Sequence, residues 1–111
     1  MSLRLFWVLL CCLLSGAVQA SDDPRYQSVV ELGELNGIAL QCKRLDQVRR
    51  MKSAVVLYAP KERRYGLAFD QATNDAFLAF IKNQDACPSA DGLARRVGHQ
   101  IDRMQKVFAA P

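Results

Sequence analysis

Residues 89–108, SADGLARRVGHQIDRMQKVF, decide the fold. Leu93, Val97, Ile101, Met104 and Phe108 recur at steps of four, four, three and four, the spacing of one face of an α-helix. Ser89 is a good cap directly ahead of Ala90, and Asp91 suits the positive end of the helix dipole. A stripe this regular has to be buried against other elements, so the rest of the chain is read for what covers it.

Upstream, apolar residues again recur at helical steps. The stretch 62–84 carries Tyr65, Phe69, Ala72, Ala76, Phe77, Phe80 and Ile81 along one stripe and holds most of the aromatic weight of the domain. Asn83 to Pro88 then breaks the pattern. Between Lys43 and Ala59, Leu45, Val48, Met51, Val55 and Tyr58 keep helical spacing until Pro60 stops it. The run Ala54 to Tyr58 has the β-branched character of a strand, but no second such run exists to pair with it, so a helix is expected. From Tyr26 to Gln41, Val29, Val30, Leu32, Leu35, Ile38 and Ala39, followed by Cys42, repeat the same spacing. Gly33 and Gly37 share one face of that helix. Each costs about 1 kcal/mol relative to alanine, which points to close approach by a neighbouring helix. The fold class is therefore all-α, a small four-helix bundle with short connections.

The cysteines add a staple and a compartment. Cys11 and Cys12 lie in an apolar run, Leu5 to Leu14, that follows Arg4 and precedes the small-residue stretch SGAVQA. This is the plan of a Sec-type signal peptide over residues 1–20, cleaved after Ala20, leaving residues 21–111 as a single helical domain. The run is about half the length of a bilayer-spanning helix, so no stable membrane insertion is expected after cleavage. Leu10 before Cys11 does not fit a lipoprotein site, and a lone arginine does not fit twin-arginine export. Periplasmic or secreted location follows, and there Cys42 and Cys87 are expected to form one disulfide. Closing a loop of about 46 residues is worth roughly 4 kcal/mol in the chain-entropy model. For a domain of 91 residues that is comparable to the whole net stability. Ser21 to Arg25 and the last few residues are expected to be mobile.

Catalytic chemistry finds no foothold. His99, the single histidine, lies among Arg95, Arg96, Asp102 and Arg103 and reads as a surface residue, without a nucleophile to serve. Met51 and Met104 fall on the apolar stripes and read as core filler, so no metal ligand set is expected. There is no Cys-x-x-Cys pair, haem-attachment motif, phosphate loop or nucleophile elbow. The expectation is a non-enzyme without cofactor or metal.

Charge offers one surface feature. The net charge is +4, of which Arg4 contributes one within the signal segment. Doublets stand at Arg49-Arg50, Arg63-Arg64 and Arg95-Arg96. Converging, they and His99 would form a partner- or anion-binding surface. Otherwise they belong to a solvated face, with Asp46, Asp91 and Asp102 placed for weak i,i+3 and i,i+4 pairs. Nucleic acid is not expected for an exported chain of such modest charge.

The stretches ELGELNGIALQC, residues 31–42, and ACPSADGLARRVGHQIDRM, residues 86–104, set a glycine-bearing helix ending at one cysteine against a Cys-Pro start to the last helix. This plan resembles two families of small periplasmic helical proteins. One is the immunity proteins that neutralise type VI secretion cell-wall amidases; the other is the acid-stress periplasmic chaperones. The resemblance implies a binding function, either to an envelope protein partner as inhibitor or to unfolding clients in acid. Eleven carboxylates against one histidine make acid unfolding plausible in itself. A third reading, a small-molecule or lipid site between the Phe-rich third helix and the glycines of the first, requires a sizeable apolar cavity.

Overall fold

Asp23 starts the first helix: its side chain accepts a hydrogen bond from the Arg25 N–H at 3.0 Å, and Pro24 follows where a missing N–H does no harm. In the computed structural model, which describes residues 23–111, four helices follow one another: α1 Pro24–Gln41, α2 Leu45–Tyr58, α3 Arg63–Lys82 and α4 Ala90–Ala109. The signal segment read over residues 1–20, with its cleavage after Ala20, lies outside the described residues. Pro24 and Arg25, expected to be mobile, instead form the first turn of α1. Ala54 to Tyr58 is helical. Ser89 caps α4 as expected, accepting from the Gly92 N–H at 3.0 Å.

Helices α1 and α3 end alike. Lys43 and Gln84 sit in the left-handed region, with φ of 57° and 54°, just beyond the two helices. The next residue's N–H reaches back over the last turn, Arg44 to Ala39 O at 2.8 Å and Asp85 to Phe80 O at 3.1 Å. Such turns usually take glycine at the left-handed position. Here both residues carry side chains; the first helix nonetheless ends at Gln41 as read, and the third ends at Lys82, two residues before the Gln84 expected.

The helices alternate in direction, and α1 is the central one. Helices α2 and α4 pack on it and on each other, while α3 packs along α1 and not along α2 or α4. Leu32, Met51, Leu93, Val97 and Met104 are fully buried where α1, α2 and α4 meet. The methionines are core filler, as their place on the stripes implied. The α1–α3 seam is closed by glycine: a Cβ on Gly33 would stand 2.7 Å from Phe69 O and 2.8 Å from Ala72 Cβ. On Gly37 it would stand 2.5 Å from Thr73 O and 2.8 Å from Ala76 Cβ. Close helix approach is thus what the two glycines supply.

Within the seam the buried Asn36 donates from Nδ2 to Thr73 Oγ1 at 3.1 Å, and Thr73 donates to Phe69 O at 2.7 Å. On the other side of α1, Gln100 Nε2 donates to Ser28 O at 3.0 Å. Cys42 and Cys87 are bonded, with Cα atoms 5.7 Å apart, tying the end of α1 to the approach to α4. At the opposite end, Tyr65 and Phe108 meet edge to face at 5.1 Å, and Arg25 Nη2 donates to Ala110 O at 3.3 Å.

Two apolar stripes are less buried than their spacing implied. Leu45 on α2 and Ile81 on α3 are exposed, and Phe77 and Phe80 are half-buried. For α3 the reason is topological: it packs along α1 and meets α4 only at the Tyr65–Phe108 end, so the face turned from α1 stays open.

Candidate functional site

With α1 central, a trough opens between α3 and α4, and α1 is its floor. Among the described residues α3 and α4 meet at the Tyr65–Phe108 end and do not pack along the rest of their length. The floor is the α1 face left uncovered, with Val30, Glu34 and Ile38 one turn apart. Toward α3 the trough is a groove of about 560 Å³ with Ala76, Ala79 and Phe80 on its wall and Asp75 and Asp85 at its rim. Toward α4 it is a groove of about 480 Å³ walled by Arg96, His99, Gln100 and Arg103. Glu34 and Ile38 belong to both, so the two grooves share a floor. The trough is apolar and acidic along α3, basic along α4.

The basic wall is braced. Arg103 Nη1 pairs with Glu31 Oε2 at 3.0 Å, and Gln100 bonds the Ser28 carbonyl. These contacts fix the α4 side chains against α1 and leave Arg96 and His99 exposed beside the groove. His99 shares this groove with Glu31 and Glu34 of α1, which were not named as site residues from the sequence. Their i,i+3 spacing in ELGE, residues 31–34, was the available signal.

The arginine doublets do not converge. Arg50 leaves α2 toward α4 and donates from Nη1 to Ala94 O at 3.2 Å and to Gln47 Oε1 at 3.3 Å. Arg49 beside it is exposed. Arg95 and Arg96 point to different sides of α4, and Arg96 alone lines the trough. Arg63 and Arg64 stand at the start of α3, where Tyr65 meets Phe108, twelve residues along α4 from Arg96 and so about 18 Å away. There Arg64 Nε pairs with Glu62 at 2.9 Å, its Nη2 donates to Tyr65 Oη at 2.6 Å, and its Cζ lies 4.6 Å from the Tyr65 ring centre. The bond to Glu62 holds the Arg64 guanidinium above its ordinary pKa, so it stays charged. The carboxylates expected to pair along the helices, Asp46 with Arg49 and Arg50, Asp91 with Arg95 and Asp102 with Lys106, form no such ion pair among the described residues.

The seam closes α1 on α3 at Gly33 and Gly37, and the space that the two helices line beside it, with Val30, Ile38, Ala76 and Phe80, is an open groove. Comparison with family models, with curated proteins and with solved structures finds no match. Neither resemblance drawn from the sequence therefore assigns a role to any residue of the chain.

Proposed function

We propose that this protein is an exported, non-enzymatic helical module of the periplasm or cell exterior, which binds an envelope protein partner through the trough between α3 and α4. The observation that carries the reading is the trough itself: an uncovered α1 floor between an apolar wall and a basic one. An amphipathic helix of a partner fits such a surface, its apolar face toward Ala76, Ala79 and Phe80 and acidic residues toward Arg96, His99 and Arg103. An inhibitor or immunity protein is the specific form this takes. The disulfide and the cross-helix bonds keep the trough shaped before binding, which lowers the ordering cost of association.

A photo-cross-linking residue placed at Ala79 in the producing cell tests this. A single protein adduct that disappears with Arg96→Glu and Arg103→Glu is expected. Adducts no different from those at exposed Lys52 would refute the reading.

A second reading is favoured by one observation, the exposed aliphatic side chains Val56, Leu57, Leu67, Leu78 and Ile81. A chaperone that loosens in acid offers such surface to unfolding clients. Its test is suppression of client aggregation at about pH 3, where the carboxylates are protonated. No protection there removes it.

A further inference from the structure

The end of the bundle away from the disulfide carries a surface that the trough does not use. Val56 and Leu57, 70% and 73% exposed, are the most exposed large hydrophobics among the described residues and stand in the last turn of α2. The corner that follows, Pro60 to Arg64, is wholly exposed and brings Lys61, Arg63 and Arg64 beside them. Leu67, more than half exposed, lies one turn into α3. Lys52 and Asp70 line one groove between α2 and α3, and Val56 and Leu67 lie one turn nearer the corner on each helix. The carboxylate within the corner is Glu62, already engaged by Arg64, and Asp23 is the further acid whose charge reaches Arg64. Lys61 and Arg63 form no ion pair among the described residues.

We propose that this α2–α3 corner docks on the surface of an anionic lipid bilayer, with Val56 and Leu57 entering the acyl boundary and Lys61 and Arg63 meeting the headgroups. Convex aliphatic tips with cations behind them match a soft, negatively charged surface. A protein partner would instead favour aromatic anchors seated in a pocket. No helix among the described residues is long and apolar enough to cross a membrane, so the contact lies in the interface plane. The inference is independent of the trough and stands or falls separately.

Co-sedimentation with vesicles of the chain from Ser21, the form left by cleavage after Ala20, tests it without the apolar run Leu5–Leu14. Phosphatidylcholine vesicles containing phosphatidylglycerol should bind the protein, and phosphatidylcholine alone should bind it weakly. Replacing Leu57 by Asp should weaken binding to the anionic vesicles by about thirtyfold, the loss of one inserted leucine. The pair Lys61→Glu and Arg63→Glu should weaken it by about tenfold or more, and raised salt should act in the same direction. All these side chains are exposed, so the helical circular dichroism of the variants should match that of the parent.

A second readout locates the contact. Trp7, the one tryptophan, leaves with residues 1–20. An introduced indole is then the sole one: Leu57→Trp should shift to the blue on anionic vesicles, whereas Leu45→Trp, at the other end of α2, should not. Absence of binding to anionic vesicles overturns the proposal. So does binding that Leu57→Asp leaves unchanged, or a protein adduct at a cross-linker on Leu57 without any vesicle binding.

Discussion

Replacing Gly37 by alanine isolates what holds α3 to the rest of the molecule. A Cβ there meets Thr73 O at 2.5 Å, Phe77 N at 2.8 Å and Ala76 Cβ at 2.8 Å. Two of these are backbone atoms of α3, so no rotamer change relieves the clash. Ordinary contact lies at about 3.5 Å or more, and α3 must therefore retreat by about 1 Å. A gap of that size forfeits a quarter to a half of each contact along the seam and lengthens the Asn36–Thr73 bond. Overpacking of this kind costs about 1–3 kcal/mol, set against a gain of about 1 kcal/mol from helix propensity. The expected net loss is up to about 2 kcal/mol, read as a fall in Tm of up to several degrees by calorimetry with the disulfide kept oxidised. Gly66 is the internal control: it is exposed within α3, and its Cβ would meet nothing within 4 Å. Gly66→Ala should raise stability by up to about 1 kcal/mol. If Gly37→Ala stabilises as Gly66→Ala does, the seam is not the close contact described here and the reasoning fails.

Four further outcomes follow from single features. Replacing Cys42 and Cys87 together by serine should cost about 4 kcal/mol and lower the urea midpoint without abolishing helicity under stabilising salts; an unchanged midpoint would show that the link constrains nothing. Thr73→Val leaves Asn36 Nδ2 buried without its acceptor and should cost about 1–3 kcal/mol, whereas adding Asn36→Leu should recover much of that in a double-mutant cycle. Gln84→Gly, at a φ of 54°, should stabilise by about 1 kcal/mol because glycine carries no penalty in that region. Ser89→Ala removes the cap of α4 and should cost about 1 kcal/mol by thermal melting.

What could be read in advance depended on whether a property is local. The stripe from Leu93 to Phe108 is a local pattern, and it forms the helix it predicts, with Ser89 as its cap. The two glycines were legible for the same reason, since a glycine pair on one helical face already says that something comes close. The partner was not legible. That Gly33 meets Phe69 and Ala72 is set by the register of α3, which no pattern within α1 contains. The disulfide was accessible by counting, because two thiols remained once Cys11 and Cys12 were assigned to the signal.

The arginine doublets mark where such reading stops. A doublet states that two cations are adjacent along the chain, yet successive residues on a helix point about 100° apart, so one doublet serves two faces. Arg96 enters the trough and Arg95 does not, while Arg50 is tied to the Ala94 carbonyl and Arg49 faces solvent. The same rotation explains Val56 and Leu57. Both belong to an apolar run, but the inward face of α2 at that end is filled by Ala54, with Val55 and Tyr58 packed against the core, so the two neighbours between them turn outward. Exposure of that pair follows from the way α2 packs on α1 and α4, while α3 shares only an open groove with α2 and does not cover it. The trough and the aliphatic corner thus have one cause: an apolar chain content sufficient for four mutually packed helices, arranged so that one of them is packed on a single side.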